Sequence, residues 1–144
     1  MLAAPTQEQE EGGVPSLFYL SPATPVEEIK DNVRSAVGRN LPLATICKPH
    51  RMLMAVAGGG PSLEDTYQQL TGVVVAVNGS LVWLQKQGTR VHLCGICDPG
   101  AHIADLIVAD PEVRYYVAST CSPRVFDKLS GCDVRLWHIT PNST

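Results

Sequence analysis

Short apolar runs alternate with segments of helical spacing along most of this chain. Five runs predict β-strands, at residues 52–57, 73–77, 91–96, 115–118 and 134–139. Helices are predicted between them, at residues 62–70, 81–87, 103–109 and 122–131. Strands that alternate with helices at this spacing are joined by right-handed crossovers into a mostly parallel sheet. The pattern predicts an α/β, Rossmann-like fold, doubly wound, with about five strands and helices on both faces. Residues 73–77 are expected to be buried on both sides.

A further helix is predicted ahead of the first strand. Thr24 can cap it, and Pro25 suits its first turn. Its predicted apolar face, with three-to-four spacing, consists of Val26, Ile29, Val33 and Val37. Residues 1–24 are rich in Gln, Glu, Gly, Pro and Ala, and the start of this segment has little apolar surface to offset ordering. We therefore divide the chain into a disordered or extended N-terminal arm, residues 1–24, and one domain, residues 25–144.

Composition and charge exclude several classes of function. With 144 residues, 44% apolar and 17% charged, the chain is typical of one soluble globular domain. A net charge of -3 without clustered Lys and Arg argues against nucleic-acid binding. No apolar stretch approaches the roughly 18 residues of a membrane span, and the acidic N-terminus lacks a signal-peptide pattern. Five cysteines, an odd number, favour free thiols in a reducing compartment. We therefore predict a cytoplasmic protein without a membrane partner.

The turn after the first predicted strand contains three consecutive glycines, Gly58, Gly59 and Gly60. Glycines lack a Cβ atom, so a ligand can approach their backbone closely. A helix that begins behind them would direct its free N–H groups and positive dipole end toward an anion. Pro61 restricts the turn, and Ser62 with Asp65 has the spacing of a capping box. This pattern predicts a site for the phosphate end of a nucleotide-like ligand. The alternative is a glycine-rich turn without a ligand.

Two familiar nucleotide motifs do not fit this turn. A P-loop requires a lysine, and none lies nearby. A dinucleotide fingerprint requires a small residue where Leu63 stands and an acidic residue at the end of the second strand. That strand is followed instead by Asn78 and Gly79. We therefore do not expect NAD, and we predict that the Asn78 carboxamide binds a ribose or a base.

Polar residues also follow the third and fourth predicted strands. The carboxyl ends of parallel strands face the ligand crevice, so Asp98 is expected on the same rim as the glycine turn. Its carboxylate could hold Mg²⁺ beside a phosphate, or it could cap the next segment. Thr120 and Ser122 follow the fourth strand. They are candidates for a phosphate or substrate contact, although Ser122 is better explained as a helix cap.

Three segments together resemble the MptE-like family, long catalogued as a domain of unknown function with archaeal, flagellin-modifying and phage-related members. They are Met-Ala-Val-Ala-Gly-Gly-Gly-Pro-Ser-Leu-Glu (54–64), Ala-Val-Asn-Gly-Ser (76–80) and Cys-Asp-Pro (97–99). The archaeal members are 6-hydroxymethyl-7,8-dihydropterin pyrophosphokinases, which transfer diphosphate from ATP with Mg²⁺. The first segment is also similar to the CMP-contacting segment of family 42 sialyltransferases.

The resemblance covers residues 45–140 and implies roles for the matching residues. Phosphate or nucleotide contacts would come from Gly58, Gly60, Pro61 and Ser62. The nucleotide would also contact Asn78, and Asp98 matches an acidic position common after the third strand. Family members usually continue with further strands and another glycine-containing turn. The resemblance therefore leaves three alternatives: a fragment that holds the first half of a longer family domain, a shortened member or an inactive one. In each case we expect ligand binding to carry over more safely than catalysis.

The cysteines and histidines offer a competing interpretation. Cys94 and Cys97 form a C-x-x-C, with His92 and His102 close by. A redox pair needs its first cysteine near a helix N-terminus, whereas Cys94 falls inside a predicted strand. Zinc binding would require residues of that buried strand to turn outward. We therefore expect small buried thiols and no zinc.

The sequence leaves two main hypotheses for function. The first is a nucleotide-binding domain with diphosphate- or glycosyl-transferase activity, which takes a nucleoside phosphate or nucleotide-sugar donor. The second is a non-catalytic, phage-type binding or interaction module that keeps the fold, supported by the shortage of basic residues near the glycine turn. A homo-oligomer is compatible with both.

Overall fold

The computed structural model describes residues 24–139, so residues 1–23 of the predicted arm lie outside it. One long helix precedes five strands that alternate with short helices. The elements are α1 (Val26–Gly38), β1 (Met54–Ala57), α2 (Leu63–Thr66), a 3₁₀ turn (Tyr67–Gln69), β2 (Val73–Val77), α3 (Ser80–Lys86), β3 (Leu93–Ile96), α4 (Ile103–Leu106), β4 (Arg114–Ala118), α5 (Pro123–Lys128) and β5 (Asp133–Trp137). Among the described residues, no helix is long and apolar enough to cross a membrane.

The five strands form one sheet in which all neighbouring pairs are parallel. This arrangement confirms the α/β, Rossmann-like class, with five parallel strands and flanking helices. Each predicted strand exists, and the observed ends differ from the predicted ones by at most two residues. Helices α2, α4 and α5 are shorter than predicted, whereas α3 has its predicted length and is shifted by one residue. The largest difference lies after the glycine turn, where the helix expected at 62–70 is one α-turn followed by a 3₁₀ turn.

The sheet differs from the doubly wound arrangement in its strand order. The strands lie in the order β1-β2-β3-β4-β5, so each βα unit adds to the same side of the last and the order never reverses. Right-handed crossovers in one direction place successive helices on the same face. Residues from all five helices accordingly belong to a single buried core with alternate residues of the strands. The expectation of helices on both faces is therefore wrong for the described residues.

Strand β2 shows the consequence of a single helix layer. Val74 and Ala76 point into the core and are buried, whereas Val73, Val75 and Val77 are only partly covered. The prediction that this strand is buried on both faces is wrong in this respect. A continuous run of Val and Ala is compatible with either arrangement, because burial of the second face depends on where the neighbouring helices pack.

The buried face of helix α1 is shifted from the predicted one, of which Ile29 and Val33 are half-buried. Asn32 and Ala36 are buried, while Val26 and Val37 remain 59% and 53% exposed. The Asn32 Nδ2 group donates a hydrogen bond to the carbonyl of Thr120 at 3.0 Å, which brings this polar residue inward. Pro25 occupies the N-cap position, so the expected Thr24 cap is not formed. A long-range hydrogen bond thus outweighs the apolar spacing.

The two edge strands of the sheet differ in whether a described segment covers their outer side. Beside β5, the N–H of Ala44 donates to the carbonyl of Leu136, and the N–H of Leu136 donates to the carbonyl of Pro42, both at 2.8 Å. The segment 42–44 therefore covers the β5 edge. Strand β1 pairs only with β2, and no described residue pairs with its other side.

Candidate functional site

A cavity of about 710 Å³ lies at the carboxyl ends of β1, β2 and β3. Three strand-to-helix turns meet there, as expected from the parallel sheet. The volume is in the range of small-molecule sites. Of the predicted site residues, those that line the cavity are Gly59, Gly60, Pro61, Asn78, Gly79 and Asp98. Its other lining residues are Leu63, Glu64, Val77, Ser80, Trp83, His102, Ile103 and Leu106.

The glycines of the first turn are not required by the fold itself. Gly58, Gly59 and Gly60 all have negative φ, so another residue could adopt their backbone conformation. A Cβ atom built on any of them would have no neighbour within 4 Å. All three are exposed. Among the described residues, no atom accepts a hydrogen bond from the N–H groups of Gly59 and Gly60. The turn therefore keeps free backbone donors at the edge of a cavity, without a packing reason for glycine.

The helix after this turn is too short for the expected dipole effect. Helix α2 has four residues, and Ser62 at its N-cap makes no side-chain cap hydrogen bond. Instead, the carbonyl of Ser62 accepts a hydrogen bond from Thr66 Oγ1 at 2.8 Å. The predicted capping by Ser62 is therefore wrong, and neither Ser62 nor Gly58 lines the cavity. Any anion would be held chiefly by individual amides.

The Asn78 side chain uses one of its two polar groups in a hydrogen bond within the protein. It adopts a left-handed conformation, with φ of 50°, and its N–H donates to the carbonyl of Gly95 at 2.8 Å. Its Oδ1 atom accepts a hydrogen bond from the N–H of Cys97 at 3.2 Å. Within the described residues, its Nδ2 group has no partner. The side chain therefore joins the ends of β2 and β3 and has one donor left for a ligand.

Ser80 is the polar residue that positions the rim, and the sequence analysis missed it. Its hydroxyl donates to the carbonyl of Ala57 at 2.7 Å and accepts from the N–H of Val77 at 2.9 Å. These two residues end β1 and β2, and Ala57 directly precedes the glycine turn. The side chain is 3% exposed. Because a serine at the start of α3 looks like a helix cap, the sequence carried no signal of this bridge.

Removing this bridge is expected to destabilise the domain. Ser80→Ala leaves a buried carbonyl and a buried N–H without their side-chain partner, which should lower the free energy of unfolding by about 1–3 kcal/mol. Urea denaturation with an unchanged m-value would measure it. Ser130→Ala is the matched control, since Ser130 is exposed and makes only a backbone hydrogen bond. Equal stability of the two variants would contradict a structural role for the Ser80 hydroxyl.

Asp98 supplies a carboxylate at the opposite side of the cavity from the glycine turn. Its Oδ1 atom accepts a hydrogen bond from the N–H of Gly100 at 2.8 Å, and its Oδ2 atom lies 4.0 Å from His102 Nε2. The hydrogen bond from Gly100 also fits the alternative role given above, in which Asp98 caps the segment after β3. The second oxygen remains available to a ligand. Glu64 adds another carboxylate, and the cavity lining contains no Lys or Arg.

Apolar side chains from three helices form one wall of the cavity. They are Leu63 of α2, Trp83 of α3, and Ile103 and Leu106 of α4. Trp83 is half-buried and packs edge-to-face against Tyr67, with ring centroids 5.3 Å apart. This wall was also missed from sequence. Its members lie within the first helical turns after the rim, which is the signal that could have identified them.

Thr120 and Ser122 do not line the cavity. Ser122 caps α5, accepting a hydrogen bond from the N–H of Arg124 at 3.4 Å, which confirms its predicted structural role. The carbonyl of Thr120 is occupied by Asn32 of α1. The buried Thr120 Oγ1 atom has no hydrogen-bond partner among the described residues. Thr120 therefore belongs to the contact with α1, and Ser122 to the start of α5.

Cys94 and Cys121 are buried thiols, whereas Cys97 is exposed, so the expectation of a buried thiol is wrong for Cys97. Burial raises the pKa of Cys94 to about 12 and, as the main cause, that of Cys121 to about 12. A redox-active cysteine requires the opposite shift. His92 Nδ1 accepts a hydrogen bond from the N–H of Val74 at 3.1 Å, so one possible metal ligand is engaged. Among residues 24–139, no group of three His, Cys, Asp or Glu side chains is arranged to hold a metal ion.

The geometry therefore combines free amides, the carboxylates of Glu64 and Asp98, the amide group of Asn78 and an apolar wall that includes Trp83 around a single cavity. Such a site can hold a small polar molecule with a flat apolar part. Comparison of the chain with protein-family models, with curated proteins and with solved structures gives no match.

Proposed function

We propose that this domain binds a nucleoside phosphate in the cavity at the ends of β1, β2 and β3. The observation that carries the proposal is the glycine turn. Its three glycines are needed neither for backbone conformation nor for packing, and two of them, Gly59 and Gly60, line the cavity. Room for an approaching ligand is the remaining physical reason for three residues without a Cβ atom.

The other lining residues suggest how the ligand is oriented. Phosphate oxygens would accept hydrogen bonds from the amides of the glycine turn. The base or sugar would lie toward Trp83, whose ring offers an apolar surface for a heterocycle. Asn78 also lines the cavity, and its free Nδ2 group would donate to the ribose or base.

The charge of the cavity makes Mg²⁺ part of the proposal. Glu64 and Asp98 are both acidic, and no Lys or Arg lines the cavity to balance a phosphate. A phosphate brought in alone would be repelled by these carboxylates. Mg²⁺ commonly binds through one or two carboxylates plus the substrate phosphates, so the free Oδ2 atom of Asp98 suits a metal carried by the nucleotide. The proposal does not require a metal site whose ligands all come from the protein.

Binding of the nucleotide is therefore expected to depend on the metal. At a ligand concentration about 100 times the Kd, binding should raise the Tm by about 5–10 °C. Calorimetry and thermal denaturation with CMP, CDP, ATP and GTP, with Mg²⁺ or with EDTA, would test it. Asp98→Asn should weaken Mg²⁺-dependent binding by about tenfold or more, because the substitution removes one charged contact. Asp31→Asn on α1 is the control. No shift with any of the four nucleotides would contradict the proposal.

Two candidate functions differ in whether a chemical reaction follows nucleotide binding. The resemblance to diphosphate- and glycosyl-transferases favours transfer from a nucleoside phosphate or nucleotide-sugar donor. The lack of Lys or Arg in the lining favours a binding module without turnover, because phosphoryl transfer relies on cationic stabilisation of the transition state. We favour the binding module for residues 24–139. Turnover in an ATP-to-AMP or nucleotide-sugar hydrolysis assay with Mg²⁺ would reverse that preference.

A further inference from the structure

The free edge of β1 is unusual for an exposed strand. We call four apolar side chains in and just before this strand, together with the outward backbone groups of the strand, the β1 edge. These side chains are Met52, Leu53, Met54 and Val56, and they are 45–68% exposed. Proteins normally blunt an open edge with charge, proline or a covering segment. The β5 edge is covered in this way by segment 42–44, while residues 52–57 contain neither charge nor proline.

The backbone groups of the β1 edge are ready to pair with another strand. The carbonyl of Leu53 accepts a hydrogen bond from the N–H of Val73, so Leu53 and Ala55 direct their backbone groups toward β2. Because hydrogen bonding alternates along a strand, Met54 and Val56 direct their N–H and carbonyl groups away from the sheet. Their side chains share the sheet face opposite the helices.

The charges around β1 indicate which partner fits. Lys48 and Arg51 precede the strand, whereas Glu64 and Asp65 follow the glycine turn at its other end. All four are exposed, and no ion pair among the described residues includes any of them. An antiparallel copy of the same segment would bring the basic end of one chain beside the acidic end of the other, twice. This charge pattern is therefore self-complementary under two-fold symmetry.

We propose that two copies of this chain associate through antiparallel pairing of their β1 edges into a continuous ten-stranded sheet. Met54 of one copy would form a hydrogen-bonded pair with Val56 of the other, and the reverse, around a two-fold axis at Ala55. In this register Arg51 lies opposite Gly59 of the second copy, and its side chain extends toward Asp65. This proposal does not depend on nucleotide binding.

The size of the contact sets the expected affinity. Four partly exposed side chains supply about half of the roughly 800 Å² per partner that a standard interface buries. The dimer should therefore be weak, with a Kd on the order of micromolar. Sedimentation velocity of the full chain over a concentration series should show a monomer that converts to a dimer.

Matched substitutions locate the interface. Val56→Lys places a charge on the β1 edge and should weaken association at least tenfold. Val26→Lys is the control, because Val26 is also exposed, at 59%, but lies on α1. A monomeric wild type at all concentrations, or equal weakening by both substitutions, would overturn the proposal. Circular dichroism should show the same fold for each variant.

A charge swap identifies the partner as a second copy. Arg51→Glu and Asp65→Arg should each weaken self-association, because each brings like charges together. When the two variants are mixed, both cross-chain pairs become opposite again, so a heterodimer should form at concentrations where each variant alone is monomeric. Failure of the mixture to associate more strongly than its components would overturn the antiparallel register.

Discussion

Replacing Gly72 with alanine is expected to lower the free energy of unfolding by about 3 kcal/mol or more. Gly72 has a φ of +74°, where an L-residue with a Cβ atom is strained. That Cβ atom would also lie 2.3 Å from the carbonyl oxygen of Leu53, a contact no real side chain makes. The oxygen cannot withdraw freely, because it accepts the hydrogen bond from Val73 that joins β1 to β2. Equilibrium urea denaturation would measure the loss.

Gly88→Ala separates the two causes of this loss. Gly88 has a similar φ, +77°, but a Cβ atom there would have no neighbour within 4 Å. It should therefore cost only about 1–2 kcal/mol, the strain of the left-handed conformation alone. If both variants lose the same free energy, the close approach of Gly72 to Leu53 contributes nothing.

Replacing Gly60 with valine is expected to weaken nucleoside phosphate binding by at least about tenfold while leaving the fold intact. Gly60 has negative φ and open space around its Cβ position, so the substitution should change the free energy of unfolding by less than about 1 kcal/mol. The added side chain would occupy the space through which a phosphate approaches the amides of the turn. Titration calorimetry with Mg²⁺ would measure binding, and urea denaturation would measure stability.

The control for Gly60→Val is Gly38→Val. Gly38 also has negative φ and no neighbour within 4 Å of a Cβ atom, but it ends α1 and does not line the cavity. Gly38→Val should therefore bind the nucleotide like the wild type. Wild-type affinity in Gly60→Val would show that the glycine turn does not hold the phosphate, even if a nucleotide binds elsewhere in the cavity.

Local signals predicted the elements well where a few neighbouring residues decide them. The run at residues 73–77 became β2 with the same bounds, because β-branched residues favour extended backbone. Ser122 followed by Pro123 was predicted to open a helix, and the Ser122 hydroxyl does cap α5. The helix predicted at residues 81–87 stops before Gly88, whose positive φ is the conformation that ends a helix.

Signals that depend on distant residues were misread. Helix α1 buries Asn32 because its amide reaches Thr120, 88 positions along the chain, and no spacing rule within the helix contains that contact. A serine at the start of α3 resembles a helix cap, but the Ser80 hydroxyl bonds to Ala57 and Val77. The rim was predicted correctly for Gly59, Gly60, Asn78 and Asp98, since parallel strands bring their carboxyl ends to one edge.

The sequence by itself determined the alternation of strands and helices and the set of polar turns at the carboxyl ends of the strands. These follow from local conformational preference and from the geometry of parallel pairing. Only the tertiary structure decided the order β1-β2-β3-β4-β5 and the single helix layer, because each βα unit can add to either side of the previous strand without a change in its own pattern. The strand order also decides which helices face one another. For this reason only the tertiary structure shows that Trp83 and Leu106 line the cavity and that Thr120 does not.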